Sequence, residues 1–398
     1  MDNRTLFLRH LAQTSPEPIG LEMVKAKGIY QYSADGKRYI DFISGFSVAN
    51  IGHGHPKVIA AVQKQAEQYM HLIVYGEFIQ SPQVAYAQLL TRHLPQSLNC
   101  VYFTNSGTEA TEGAIKLAKR YTGRSKIIGF RNSYHGSTQG ALSVMGSEYY
   151  RNAYRPLLPN IYHYPYGEED VLNAIDDKTA AVITETVQAE SGVTRPPEGW
   201  LAAISKKCKE TGALLILDEI QAGFGRTGTL WAFEQYQVIP DILLLGKALG
   251  GGMPLGAFIA DYVMMQSLTH NPVLGHITTF GGHPVSCAAG KAAFEVLLEE
   301  NFIRDVKEKE SILVRMLQHD SVTEIKTGGL WASLRFKNFD SNVQIIRRCI
   351  DHGLISDWFL FAPDRMRIAP PLCITNEELE GACLLIKESI EDIKKQFN

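Results

Sequence analysis

The chain of 398 residues has no Cys-x-x-Cys pair. Its cysteines, Cys100, Cys208, Cys287, Cys349, Cys373 and Cys383, are scattered, which argues against a zinc or dithiol redox motif and fits reduced, buried thiols. No apolar run approaches the ~18 residues that span a bilayer, and the start, MDNRTLFLRH, lacks the basic and apolar regions of a signal peptide. Charge bias is missing as well: 39 basic against 42 acidic residues, interspersed, leave a net −3 and no stripe suited to nucleic acid. Repeats and low-complexity segments are absent. What remains is a globular chain with 45% hydrophobic residues. The expectation is a cytoplasmic protein acting on small molecules, without a membrane or nucleic-acid partner.

Short apolar runs alternate with longer amphipathic segments through the middle, the pattern of an α/β fold with a mostly parallel sheet covered by helices. The expected strands are VYF (101–103), KIIGF (126–130), AAVIT (180–184), ALLIL (213–217), ILLL (242–245) and GAFIA (256–260). Helical periodicity marks 57–69, 108–121 and 285–300, with further helices expected at 302–318 and 376–396. Asp35-Gly36 sits between two β-prone stretches as a hairpin signal. These features suggest a large central domain over 51–300 and a smaller α/β domain from 301–398, joined by the N-terminal segment 1–50.

Three motifs lead elsewhere. Gly246-Lys247 beside glycines is not a P-loop, because Asp241 stands where the first glycine is needed and Ala248 where Ser or Thr is needed. GFGRTG (223–228) matches the dinucleotide fingerprint, but DEIQA separates it from its strand, and Lys247 falls where an acidic residue should bind the ribose. His53 and His55 lack a convincing third ligand, so a turn before the helix at Lys57 is favoured over a metal site.

Ligands of open α/β sheets bind beyond the carboxyl ends of the strands. After VYF, residues Ser106, Gly107 and Thr108 open a helix whose free amides suit a phosphate; Ser106 and Glu109 also have capping-box spacing, and the two readings are compatible. After KIIGF come Tyr134 and His135, an aromatic that lies flat on a planar ring or fills the core. After AAVIT come Glu185, Gln188 and Glu190, which bind a cationic amine or are solvated. Asp218 ends a very apolar strand, ahead of Ile220 and Gln221, and needs a partner such as a protonated ring nitrogen. Lys247 follows ILLL; its amine must lose a proton to attack a carbonyl. A lone lysine at a strand end is ordinarily solvated. Phosphate turn, aromatic, aspartate and lysine arriving at successive strand ends together describe a site for pyridoxal 5′-phosphate.

The stretches GKRYIDFISGFSVANIGHGHP (36–56), TNSGTEATEGAIKLAKRYTGR (104–124), LLILDEIQAGFGRTG (214–228), GKALGGGMPLGA (246–257), TTFGGHP (278–284) and RIAPPL (367–372) resemble the class III aminotransferases of the acetylornithine and ω-amino acid type, fold-type I pyridoxal-phosphate enzymes. The resemblance implies that Lys247 is the Schiff-base lysine and proton shuttle and Asp218 the partner of the ring nitrogen. It implies a phosphate turn at Ser106, Gly107 and Thr108, joined by Thr279 from the neighbouring subunit of a homodimer or dimer of dimers. Tyr134 stacks on one ring face and Ile220 on the other, Gln221 lies near the ring hydroxyl, and His135 and Glu185 complete the cofactor side. Arg367 binds a substrate carboxylate and Glu190 pairs with it otherwise, Ser137 stands at a substrate-binding position, and Phe46 and Ser47 line the substrate entrance, with a core role as the alternative for Phe46.

The implied reaction is ping-pong transfer of an amino group, from an acetylornithine- or 4-aminobutyrate-like donor, to an oxo acid such as 2-oxoglutarate or pyruvate. This chain departs from the family pattern at Ser137, where many members have Arg, at Thr186 for a frequent proline and at His283 for a frequent asparagine. The rival readings are an aminomutase, racemase or decarboxylase on the same scaffold, a nicotinamide-dependent oxidoreductase using GFGRTG, and a non-catalytic binding protein, against which both Lys247 and Asp218 argue.

Overall fold

Strands that are apolar on both sides need cover on both faces, and the inner strands of a seven-stranded sheet find it. A computed structural model describes residues 2–396. An N-terminal hairpin region supplies β1 (Met23–Lys27), β2 (Tyr30–Ser33) and β3 (Arg38–Asp41). The central strands are β4 (Cys100–Thr104), β5 (Lys126–Phe130), β6 (Ile161–Tyr164), β7 (Thr179–Glu185), β8 (Leu214–Asp218), β9 (Ile242–Leu245) and β10 (Gly256–Ala260). They lie in the order β4-β10-β9-β8-β7-β5-β6. Neighbours from β9 to β6 run parallel, and β10 alone is antiparallel to both its neighbours.

Alternation along the strands divides the core in two. Leu215, Leu217, Leu243 and Leu245 face one side with Trp200, Leu201, Ile204 and Cys208 of the helix Trp200–Thr211. Leu214, Ile216, Ile242 and Leu244 face the other, with Ala110, Ala114, Leu117 and Ala118 of the helix Gly107–Thr122. Every residue of β7, β8, β9 and β10 is buried. At ~25 cal/mol per Å² of apolar surface, this two-sided burial is the main stabilising contribution.

The C-terminal part adds β11 (Glu324–Thr327), β12 (Ala332–Arg335), β13 (Leu354–Ile355), β14 (Trp358–Phe359) and β15 (Ala362–Ile368). β13 pairs with β3, so one four-stranded sheet, β1-β2-β3-β13, draws on both ends of the chain; a second has the order β11-β12-β15-β14. The segment expected as a helix over 302–318 is split into a 3-10 turn at Phe302–Asp305 and a helix at Val306–Met316. No helix among the described residues is long and apolar enough to cross a membrane.

GFGRTG forms a turn-rich loop after β8, and it delivers Arg226, not a ligand cradle, into the core. The guanidinium binds the carbonyls of Leu330 and Pro370 at 2.7 Å each and Asn50 Oδ1 at 2.6 Å. His53 pairs with Asp41 at 2.7 Å, and His55 caps the helix Pro56–Gln68. At Ser44, Gly45, Phe46 and Ser47 the backbone makes a left-handed turn, with φ of 50°, 56°, 63° and 62°. Such a run is unusual for residues with a Cβ. It is tied down by the Ser44 hydroxyl, which donates to the Ala369 carbonyl at 2.5 Å.

Candidate active site

The ends of β4, β5, β7, β8 and β9 converge on a cavity of about 280 Å³ whose wall includes Gly107, Thr108, Tyr134, His135, Ser137, Glu185, Asp218, Ile220, Gln221 and Lys247. At the end of β4 the Ser106 hydroxyl caps the helix Gly107–Thr122 by accepting the Glu109 N–H at 3.4 Å. Glu109 reaches back to the N–H of Asn105, one residue earlier than the capping-box spacing implies. Ser106 spends its side chain on the cap, so the cavity is met by Gly107 and Thr108. A Cβ on Gly107 would stand 2.7 Å from Ile220 Cδ1, and one on Gly246 would stand 3.1 Å from Ile220 Cγ2. The glycine that opens the helix and the glycine before the lysine thus let the isoleucine wedge between them.

β7 and β8 lie in register with Glu185 opposite Asp218. Asp218 is 5% exposed; its Oδ1 accepts the Ile220 N–H at 2.9 Å and its Oδ2 lies 2.7 Å from His135 Nδ1. Glu185 accepts the N–H groups of Tyr134 at 2.9 Å and Ala189 at 2.7 Å. Burial, and then the Asp218 carboxylate, push the Glu185 carboxyl well above its usual range. Lys247 has φ 48°, in the left-handed region, at the first position of a 3-10 turn. Backbone held in this region is stored strain of the kind found at functional sites. Burial lowers the pKa of its amine, which enlarges the neutral, nucleophilic fraction.

Further out, the Tyr134 hydroxyl lies 3.2 Å from Ser137 Oγ. Arg367, on β15, is 1% exposed and donates from Nη2 to both oxygens of Glu190, at 3.0 and 2.8 Å. Burial alone would raise the Glu190 carboxyl, but the guanidinium outweighs it and holds the group below its ordinary value. The Phe46 ring lies 5.1 Å from the same guanidinium, on the left-handed turn. Gln188 is used structurally, its amide donating to the Arg131 carbonyl at 2.9 Å. Thr279 is exposed and lies outside this cavity.

Sequence reasoning missed Thr138, whose hydroxyl sits 2.7 Å from that of Thr108, and Asp357, which bonds Arg367. Thr138 follows the Tyr-His-Gly motif by two residues and could have been sought there; no local signal pointed to Asp357.

The residues present fit pyridoxal phosphate. Gln221 Nε2, in the cavity wall, is buried with no partner among the described residues, as is His135 Nε2. A buried donor without an acceptor costs about 1–3 kcal/mol, and the ring hydroxyl expected beside Gln221 is such an acceptor. An amine, a buried carboxylate and a helix N-terminus across one cavity match the aldehyde, ring nitrogen and phosphate of that molecule.

Residues 11–390 match the family described as Aminotransferase class-III. Acetylornithine aminotransferase of Methanopyrus kandleri is 40% identical over 396 residues, spanning 98% of this chain and 99% of the relative. Its counterpart in Bacillus cereus is 36% identical, spanning 96% of this chain and 97% of the relative. Among solved structures, ornithine aminotransferase from Toxoplasma gondii superposes with a TM-score of 0.91 at 29% identity, over 98% of this chain and 94% of that one. An (S)-enantioselective omega-transaminase from Thermomicrobium roseum gives 0.91 at 28% identity, over 98% and 97%.

Proposed function

The chain belongs to the class III aminotransferases, pyridoxal-phosphate-dependent enzymes, and from that membership we propose that it moves the terminal amino group of an amino acid or diamine to an oxo acid such as 2-oxoglutarate. When bound, pyridoxal phosphate supplies an aldehyde that captures amines and a conjugated ring that takes up an electron pair from the substrate. The observation that carries the residue assignment is the placement of Lys247 and Asp218 at the ends of the adjacent strands β9 and β8, on one cavity. Lys247 Nζ, neutral when its pKa is depressed, holds and returns the proton that the substrate carbon gives up. Asp218, oriented by His135 and the Ile220 N–H, would offer its carboxylate to the ring nitrogen and favour its protonated form. The helix N-terminus at Gly107 and Thr108 would hold the phosphate, Tyr134 and Ile220 would pack against the ring, and Gln221 would donate to its hydroxyl.

Arg367 and Glu190 let one site alternate between two substrates: the pair stays closed over a donor without a carboxylate there and opens for the carboxylate of the oxo acid. Ser137, paired with the Tyr134 hydroxyl, gives the far wall hydroxyls in place of the arginine frequent in the family. This favours donors with no carboxylate at that end, such as diamines and simple ω-amines, over acetylornithine itself.

The test is a half-reaction. Holoenzyme given donor without acceptor should convert its visible absorbance to the pyridoxamine form and stop after one equivalent. Continued turnover without oxo acid overturns the reading. Lys247→Ala should lose the borohydride-trappable absorbance and at least 10⁴-fold of the rate, by analogy with loss of a catalytic nucleophile or base. A panel of acetylornithine, ornithine, 4-aminobutyrate, lysine and diamines ranks the donors, and a clear preference for acetylornithine would sink the Ser137 argument.

We also propose a homodimer. Met70, Phe78, Ile79, Val273 and Phe280 are exposed at 64, 56, 96, 72 and 53%, and the last two flank Thr279 in sequence. A second copy covering them is the economical way to bury apolar side chains of this size and to bring Thr279 to a phosphate site it does not reach in its own chain.

A further inference from the structure

Arg367 has two carboxylates where the alternation described above needs only one. Its Nε donates to Asp357 Oδ1 at 2.9 Å, while Nη2 serves Glu190 and, at 3.3 Å, the Trp358 carbonyl. Nη1 is buried and has no partner among the described residues. The two acids are attached to different parts of the molecule. Asp357 immediately precedes β14, which pairs with β15, and its backbone carbonyl accepts the Arg367 N–H at 2.8 Å. Backbone and side chain thus tie Asp357 to the arginine within one sheet. Glu190 lies in the loop after β7 of the central sheet and meets that hairpin where its carboxylate accepts the Leu360 N–H and its backbone carbonyl the Phe361 N–H, each at 3.0 Å.

A guanidinium presents its donors along separate edges. Asp357 uses Nε, so a carboxylate entering at Nη1 and taking Nη2 from Glu190 does not compete with it for any N–H group. The rings of Phe359, 4.2 Å away, and Phe46, 5.1 Å away, further limit where the guanidinium can go.

We propose that Asp357 is a positioning residue: it fixes Arg367 through Nε so that only Glu190 has to leave when the oxo acid arrives, and the acid's carboxylate lands on the open Nη1–Nη2 edge. The inference rests on the reading of Arg367 as the oxo-acid carboxylate site. It is a matter of geometry and not of charge, since an oxygen acceptor at Asp357 Oδ1 is all that Nε requires.

The test uses holoenzyme and two readouts. The first is the dissociation constant of glutarate, which has the carboxylates of the oxo acid but no carbonyl to react, measured by calorimetry. The second is each half-reaction followed separately by absorbance. Asp357→Ala should weaken glutarate binding and raise the oxo-acid KM about tenfold, leaving the amine-donor half-reaction within threefold. Asp357→Asn, which keeps an oxygen toward Nε, should return both to within threefold of the parent. Unchanged glutarate binding in the alanine variant overturns the proposal, as does an equal loss in both half-reactions, the signature of a merely structural residue. So does an asparagine variant as impaired as alanine, since that assigns the effect to charge. Arg367→Ala run alongside separates the two levels: if it leaves glutarate binding intact, the underlying assignment of Arg367 fails, whereas its loss together with a silent Asp357→Ala removes the positioning role alone.

Discussion

Glu219 is fully buried, and its carboxylate is held by the N–H groups of Ala232 and Phe233, at 2.7 and 2.6 Å, and the Thr186 hydroxyl at 2.9 Å. Thr186, which replaces a frequent proline, is therefore a working hydrogen-bond donor. Burial pushes the Glu219 carboxyl up to about 7 from 4.5. Between those values the folded chain keeps a proton that the unfolded chain has released, so this group's contribution to stability is full below pH 4.5 and declines as pH rises to about 7. The span is on the order of 3 kcal/mol. Denaturant unfolding of the parent and of Glu219→Gln at pH 4.5 and 7.5 should show a gap that changes by that order, and a gap independent of pH would contradict it. Thr186→Val should cost about 1–3 kcal/mol by stranding the carboxylate. Lys247 and Asp218 stand out in the sequence as candidates because each comes at the end of a wholly apolar run, Lys247 one glycine beyond it. Asp357 could not, because its partner is fixed by a strand pairing and a side-chain direction that no local pattern records.

The left-handed turn from Ser44 to Ser47 shows what an element can hide. Its sequence, Ser-Gly-Phe-Ser, carries one glycine for four left-handed positions. Ser47 is 1% exposed, has φ 62°, and its hydroxyl has no partner among the described residues. Ser47→Gly removes both the Cβ that resists this conformation and an unsatisfied buried oxygen. It should stabilise the protein by about 1–2 kcal/mol, read from the denaturant midpoint at constant slope. The strands of the central sheet were more legible, whereas the helices Ser81–Arg92, Trp200–Thr211 and Phe339–Asp351 were not anticipated. All six expected strands occur within one or two residues of their expected limits, because strands buried on both faces are apolar throughout. β6, Ile161–Tyr164, was missed since only Ile161 in IYHY is a plain aliphatic. The reversed direction of β10 was not anticipated either: GAFIA reads the same whichever way it runs.

At the scale of the whole molecule, the exposed apolar residues make assembly and cofactor affinity one question. Ile79 is 96% exposed, so Ile79→Lys leaves the fold of a single chain untouched. With Phe280→Asp it should shift the sedimentation coefficient to that of a monomer and weaken pyridoxal-phosphate binding together, as a site lacking the partner's threonine requires. A variant that stays dimeric, or a monomer that binds cofactor as tightly, would contradict the proposal. The central sheet has a consequence for how the protein is made. β4 has a single neighbour, β10, with Thr104 beside Gly256, and a Cβ at Gly256 would stand 2.1 Å from the Ser106 carbonyl. The turn that opens the helix at Gly107 therefore rests on a strand encoded about 150 residues later. At ~5–20 residues per second of synthesis, the nascent chain carries that turn without its support for roughly 8–30 s. A ribosome-bound chain ending before residue 260 should fail to retain cofactor, however well its other strands have paired.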